Sequence, residues 1–267
     1  MHRLTAAFEW QSWEVVGRHA RVYLRHWHTS FLPPAGEPVM MLLAFGLGLG
    51  GYVTSLDWRG RDVPYMTFVA PGIIAYACFM TAIFQSLYGA FIRMHYQKTW
   101  EGQLTTQVEL RHVVWGEILW AALLCTSYAA IVAVVLAGCQ ALGLVALDFG
   151  ALVLLAPVVF VAGCAFAALG LLFTAVVPTI DHMNLPVFLL VLPLGIVSGT
   201  YFPLEDPRLA PLRAVSPLYH LAEGARGLLL GGPAAGHLGA LLAMAAVMLV
   251  VLVPLDLRLL SRRVLGE

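Results

Sequence analysis

Six long stretches of this chain contain no Asp, Glu, Lys or Arg. They run Pro38–Leu56, Val63–Ile92, Ile118–Leu147, Phe149–Ile180, His182–Leu204 and Gly227–Leu255. A helix crossing the hydrocarbon core of a bilayer needs roughly 20 mostly apolar residues. One charge near its centre costs on the order of 2.5–3.5 kcal/mol on insertion scales. Six transmembrane helices are therefore expected. Charged residues make up only 11% of the 267 residues, against about 25% in soluble domains. Too little polar sequence remains for a separate soluble domain. The expected fold class is all-α integral membrane, with residues 1–267 forming a single transmembrane domain.

The net charge is +0, which gives no reason to expect a nucleic-acid partner. Cys78, Cys125, Cys139 and Cys164 are scattered through apolar stretches without CxxC spacing. They are expected to be small buried hydrophobes, not a disulfide framework or a zinc site.

Residues 5–29 are expected to form an amphipathic helix lying on the membrane. Trp10, Trp13, Val16, Ala20, Tyr23 and Trp27 recur at three- and four-residue spacing, and Arg18, Arg21, Arg25 and His28 recur on the opposite face. Rings at the headgroup boundary with guanidinium groups in water suit such a helix. A helix packed on a partner would show the same pattern. The candidate interfacial residues are Trp13, Arg18, Arg21, Arg25 and Trp27. Pro33-Pro34 is expected to end the segment.

The first span, Pro38–Leu56, carries Gly46, Gly48, Gly50 and Gly51. Glycines inside an apolar window point to close helix packing. A dinucleotide loop would need a strand before it and a helix after it. A loop with Asp57, Arg59, Arg61 and Asp62 follows, then a second span over Thr67–Ile92, with Arg93, His95 and Lys98 directly after it. Met94–Glu117 is the longest polar segment between spans. Trp100, Leu104, Val108 and Val113 are expected to give it a short helix with one apolar side. The third span is expected over Trp115–Ala137. The fourth covers Gly150–Val177, closed by Pro178, and a turn over Thr179–Asn184 leads to the fifth, Leu185–Gly199.

Residues 201–232 are too polar to cross a bilayer and too apolar for an ordinary loop. Pro203, Pro207, Pro211 and Pro217 cut them into pieces. A re-entrant region of one or two short helices is expected, because non-spanning backbone survives at membrane depth only when buried in protein or lining water. The sixth span covers Gly236–Leu255, followed by Arg258, Arg262 and Arg263.

Basic residues orient the chain. Arg3, Arg18, Arg21 and Arg25 precede span one, Arg93, Lys98 and Arg111 lie between spans two and three, and three arginines follow span six. These segments share a side if six helices alternate, so the positive-inside rule puts both termini in the cytoplasm. The loop between spans four and five should share that side, yet it has no Arg or Lys.

No GxxxxGK[ST] loop occurs, so no Walker motif binds ATP here, and HExxH and GxSxG are also missing. Glu117, Asp181, His182 and Asp256 fall near expected helix ends. That leaves no converging ionisable cluster for a membrane enzyme and no intramembrane carboxylate suited to ion coupling. His182 beside Asp181 fits a turn residue with a capping neighbour, the other reading being a proton relay or metal ligand. No catalytic, cofactor or metal site is expected.

The order of parts resembles the permease subunit of ABC-2 type exporters over nearly the whole chain. Two stretches sharpen the resemblance. One is Leu110-Arg111-His112-Val113-Val114-Trp115-Gly116-Glu117-Ile118-Leu119-Trp120-Ala121. The other is Ser198-Gly199-Thr200-Tyr201-Phe202-Pro203-Leu204, with Ser216-Pro217-Leu218-Tyr219-His220 downstream. Both are similar to the nodulation protein J branch, the permeases of lipooligosaccharide exporters. Branches that export drugs or surface polysaccharides share the second pattern more loosely.

The resemblance implies a bacterial cytoplasmic (inner) membrane protein acting as a homodimer, or paired with a second permease. Two copies of a separate ATPase subunit would bind ATP and magnesium. Residues 94–111 would be the cytoplasmic coupling segment, with Trp100, Glu101, Leu104, Thr105 and Gln107 as ATPase-coupling candidates, unless they belong to a solvated linker. Tyr201, Phe202 and Tyr219 would line the translocation exit or serve as interfacial anchors. Arg208, Arg213 and Arg226 would meet an anionic headgroup or pair with Glu205, Asp206 and Glu223. The competing readings are a drug or antibiotic exporter, a membrane-embedded lipid-modifying enzyme and a structural subunit.

Overall fold

The computed structural model describes residues 5–28, 36, 39–204 and 206–266. The expected break at Pro33-Pro34, the Pro38 start of span one, and the roles of Arg3 and Glu205 lie outside the described residues.

In chain order the elements are α1 (Trp10–Arg25), α2 (Val39–Gly51), the strands β1 (Ser55–Trp58) and β2 (Arg61–Pro64), α3 (Tyr65–Tyr96), α4 (Thr99–Leu104), α5 (Leu110–Ala141), α6 (Phe149–Val176), α7 (Ile180–Ile196), α8 (Ala210–Val215), α9 (Pro217–Leu229) and α10 (Ala235–Val264). The helices α3, α5, α6 and α10 are long and apolar enough to cross a membrane, whereas α2 and α7 are apolar but shorter. The expected first and fifth spans thus correspond to short helices. The chain leaves α2 for the hairpin, and it leaves α7 for a turn in which Gly199 adopts φ +70°, a conformation that suits glycine.

The other expected boundaries shift for physical reasons. The α3 helix continues through two π-helical turns, Gln85–Gly89 and Ile92–Tyr96, so Arg93 lies within it and not after it. The α5 helix starts at Leu110, where Glu109 and His112 form reciprocal cap hydrogen bonds that satisfy orphan amides. The α7 helix takes up the turn around Ile180–Met183. The α10 helix carries Asp256, Arg258, Arg262 and Arg263 inside it.

The loop expected at Asp57–Asp62 is instead an antiparallel hairpin with Trp58 paired to Arg61. Arg59 and Gly60 both have positive φ, at 56° and 75°, as a two-residue type I′ turn requires. Asp57 Oδ1 accepts from the Gly60 amide at 2.7 Å.

The most enclosed helix is α3. Nearly every residue from Tyr65 to Ile83 is buried, and α5, α6 and α9 pack around it. By contrast, α10 buries only one stripe, including Leu241, Ala245, Val253 and Leu260, while Val247, Val250 and Val251 face outward. An apolar outer surface is what a lipid-facing helix presents. Glycines set the closest helix contacts. A Cβ on Gly170 of α6 would meet the Ile83 carbonyl oxygen at 2.9 Å and the Ser86 side chain.

The π-helical turn in α3 leaves the Ser86 and Leu87 carbonyls to accept from Thr174 Oγ1 of α6, at 2.8 and 2.9 Å. Two residues later α6 ends, and Arg263 of α10 donates to the carbonyls of Thr174, Val177 and Pro178 at 2.7, 2.6 and 3.1 Å. Those carbonyls would otherwise be orphaned at the helix end. The base missing from the α6–α7 loop is thus supplied by α10, which sets the C-terminal ends of α6 and α10 side by side. Arg263 also lies over the Phe91 ring of α3, 5.2 Å from its centroid.

The α1 helix has three faces, where the sequence pattern suggested two. Ser12, Val15, Val16 and His19 are buried in contact with α5, and a Cβ on Gly116 would run into Val15. Trp10, Trp13, Leu24 and Trp27 are exposed and apolar. Arg21 and Arg25 are exposed, and Arg18 is half-buried.

The close α3–α6 approach gives a first prediction. Gly170→Ala should lower stability by about 1–3 kcal/mol through overpacking, read as a reduced thermal-unfolding midpoint in detergent. Gly239→Ala, at an open position, should leave the midpoint near wild type.

Candidate functional site

Two clusters of buried charge occupy opposite ends of the helix bundle. The first surrounds α4. A sharp turn at Lys98, with φ +52°, carries the chain from α3 into this short helix. Trp100 is fully buried, Leu104 is half-buried, and Glu101, Thr105 and Gln107 are exposed. The five candidate coupling residues therefore divide into an inner anchor and an outward face. Lys98 Nζ lies 2.7 Å from Glu101 Oε1 at the surface.

Beneath Trp100 sits the carboxylate of Glu117, fully buried in α5. Trp100 Nε1 donates to its Oε1 at 3.0 Å. Arg93 Nε, from α3, lies 2.9 Å from Oε1 and 3.1 Å from Oε2, and Arg93 Nη2 also donates to Oε2. His19 Nε2, from α1, stands 3.3 Å from Oε1 at ion-pair distance. With its oxygen turned toward the donors, as hydrogen bonding requires, the Gln85 amide accepts from Trp120 Nε1 at 2.9 Å and from Arg93 Nη1 at 3.2 Å.

Further polar contacts hold α1 to α5. His112 accepts the Glu109 amide at Nδ1 (3.0 Å), so its Nε2–H donates to Glu9 Oε2 at 2.7 Å. The Tyr23 and Tyr128 hydroxyls are hydrogen-bonded. Arg18 Nη2 reaches Thr99 Oγ1 at 3.5 Å, so of the interfacial candidates it is the one directed at α4. Trp13, Trp27, Arg21 and Arg25 stay exposed.

The second cluster is built on Arg226 of α9, whose guanidinium is fully buried. Nε donates to the Phe68 carbonyl at 3.0 Å, and Nη2 donates to the Gly199 carbonyl and, at 2.8 Å, to the Thr200 carbonyl. Nη1 binds Glu223 Oε1 at 2.5 Å. The guanidinium also stacks over Phe68, 4.0 Å from its centroid. Glu223 Oε2 accepts from Trp58 Nε1 of the hairpin at 3.2 Å and lies 3.6 Å from Arg59. One arginine thus joins α3, the Ser198–Leu204 turn and α9, and its carboxylate partner adds the hairpin. Pairing with Glu223 is the alternative that holds for Arg226. A headgroup role does not, because its charge is inaccessible. Burial opposes ionisation of Glu223, yet the charge and hydrogen bonds of Arg226, with Trp58 and Arg59, hold its carboxyl below the usual range.

A chain of rings borders this cluster. Arg59 Nη2 lies 2.7 Å from His237 Nε2, the two Nδ1 atoms of His237 and His220 are 3.0 Å apart, and His220 Nε2 is 3.2 Å from the Ala214 carbonyl. Guanidinium only donates and carbonyl only accepts, which fixes Nδ1–H on His237 and Nε2–H on His220.

The exit candidates flank the same turn but do not form one surface. Tyr201 is half-buried between Phe45 and Tyr76, with centroids 4.6 and 5.9 Å away. Phe202 is 50% exposed, and Tyr219 packs on Gly199. His182 lies in the first, 3-10 helical turn of α7, bonded to Thr179 Oγ1 at 2.7 Å. All four cysteines are free and buried.

Sequence reasoning placed Glu117 at a helix end and missed His19 and Arg93 as its partners, while it offered the Arg226–Glu223 pair as one of two alternatives without foreseeing its burial. The available signals were a glutamate framed by Trp115 and Trp120, and an arginine three residues after Glu223 on an apolar helix. Asp256 was expected beyond span six. It lies inside α10, buried, with no hydrogen-bond partner among the described residues.

A family model described as "ABC-2 type transporter" matches residues 11–230, a range that takes in both clusters. The chain belongs to the ABC-2 type transporter family, a membrane component of ABC transporters, as its apolar helices suit. Among curated relatives it is 35% identical to nodulation protein J of Rhizobium leguminosarum bv. viciae, over 79% of this chain and 80% of that one. It is 34% identical to the protein of the same name from R. leguminosarum bv. trifolii, over 88% and 87%. For that of Rhizobium meliloti (strain 1021) the figures are 30%, over 91% and 92%.

Removing one member of a buried ion pair costs about 3–5 kcal/mol. Arg226→Gln should accordingly lower the thermal-unfolding midpoint strongly, whereas Arg21→Gln on the exposed face should not. Because the folded Glu223 carboxyl ionises below its unfolded value, its contribution is complete above about pH 4.3. It is lost as pH falls through the folded value, so a pH titration of unfolding should show the loss only in the acid limb.

Proposed function

We propose that the chain is the permease subunit of an ATP-driven exporter that moves a lipid-linked or amphipathic glycan out across the bacterial cytoplasmic membrane. The observation that carries this reading is the match to curated nodulation protein J sequences along about four-fifths or more of both chains. The branch's lipooligosaccharide substrate is proposed here by that likeness. The working unit is a permease dimer with two copies of a separate ATPase, which carries ATP and magnesium. Each chain is one transmembrane domain with six spans: the four long helices plus α2 and α7. Both termini are cytoplasmic, and residues 201–232 form a re-entrant segment at the outer side.

Several features support this arrangement. The α4 helix presents Glu101, Thr105 and Gln107 outward while Trp100 anchors it, as a docking helix should. The exposed Trp13 of α1 and Trp27 just beyond its end suit the headgroup boundary beside it. At the outer end the half-exposed Phe202 offers a stacking face for sugar rings, and Tyr201 and Tyr219 complete the lining of the exit in this reading.

Glu101→Arg tests the docking face. With the partner ATPase co-expressed, this variant should remain in the membrane and lose export while ATP hydrolysis continues. Export at the wild-type rate would remove α4 from the docking surface.

A further inference from the structure

The buried polar groups at the α4 end converge on one atom pair. The Glu117 oxygens accept from Trp100 of α4 and Arg93 of α3, and His19 Nε2 of α1 stands 3.3 Å from Oε1, while Glu117 itself belongs to α5. The two covalent routes out of α4 are poorly suited to carrying force. On one side lies the left-handed turn at Lys98. On the other, residues Thr105, Thr106, Gln107 and Glu109 form an exposed, non-helical connection to α5. The side-chain route is shorter and shielded from water, which strengthens its polar contacts.

We infer that Glu117 is the positioning residue through which displacement of α4 reaches the spanning helices, with the Trp100 indole as the lever and Arg93 carrying the motion into α3. This rests on the ATP-driven permease reading. A push on the outward face of α4 moves the buried ring. The ring's N–H pulls on Oε1, and the same carboxylate holds the guanidinium of α3. Both helices therefore shift together, and α1 follows through His19. The π-helical turn around Arg93 gives α3 a register that can slide, as such turns often do at functional sites.

Trp100→Phe is the deciding variant, since it keeps a buried aromatic ring and deletes only the N–H. Glu117→Gln, which keeps the shape but lowers the charge, is measured beside it. The assay reconstitutes the permease with its ATPase in proteoliposomes and reads substrate exported per ATP hydrolysed. General loss of folded protein leaves that ratio alone. For Trp100→Phe the ratio should fall roughly tenfold, as the loss of one hydrogen bond permits, with the ATPase still co-purifying. A wild-type ratio would overturn the inference. So would loss of ATPase binding by Trp100→Phe, because the ring would then serve docking and not transmission. If Glu117→Gln fails to fold, Trp100→Phe decides alone. A wild-type complex that neither binds an ATPase nor exports with ATP would instead overturn the permease reading itself.

Discussion

Hydrocarbon offers no partners for polar groups, so carbonyls, amides and charges inside this bundle are satisfied chiefly by the chain itself, with Asp256 an exception. The long helices meet that demand for the backbone. Where the helices deviate, side chains complete the account. Thr174 serves the carbonyls freed by the π-helical turn of α3, and Arg263 serves those at the end of α6. Glu117 and Arg226 follow the same logic with full charges, each enclosed by partners from several elements.

Those two charged groups divide the molecule between them. At one end a carboxylate gathers α1, α3, α4 and α5 around it. At the other a guanidinium gathers α3, α9 and the Ser198–Leu204 turn. The α3 helix belongs to both clusters and is the most enclosed helix, so a change at either end meets the same element. A buried pair contributes little net stability compared with apolar packing but is costly to break. It therefore acts as a fixed joint, suited to holding a geometry that must move as a unit.

The periphery is looser. The α10 helix exposes most of its apolar surface, and α2 and α7 are short. The helix ends near Arg93 and Arg263 carry many of the bases. The charge pattern that orients membrane proteins here also does structural work, because Arg93 and Arg263 are bound to buried oxygens and not simply exposed to water.

The sequence by itself determined the class of fold. Charge-free stretches, a Trp/Arg amphipathic start and a proline-cut segment are local signals, legible because a bilayer allows few solutions. The two motif stretches pointed to the family for the same reason that they matter physically: one holds Glu117, and the other holds Gly199 in its positive-φ turn. Only the tertiary structure decided which polar residues meet. Trp100 and Glu117 are 17 positions apart on different helices, His19 and Glu117 are separated by nearly a hundred positions, and Arg226 reaches Phe68 across most of the chain. The hairpin escaped notice because four-residue strands carry little periodicity and Arg-Gly is a weak turn signal. Likewise, the third face of α1 exists only because α5 packs on it. Hydropathy is a property of single residues and local windows. A buried ion pair depends on both partners arriving at one place, and that is set by packing.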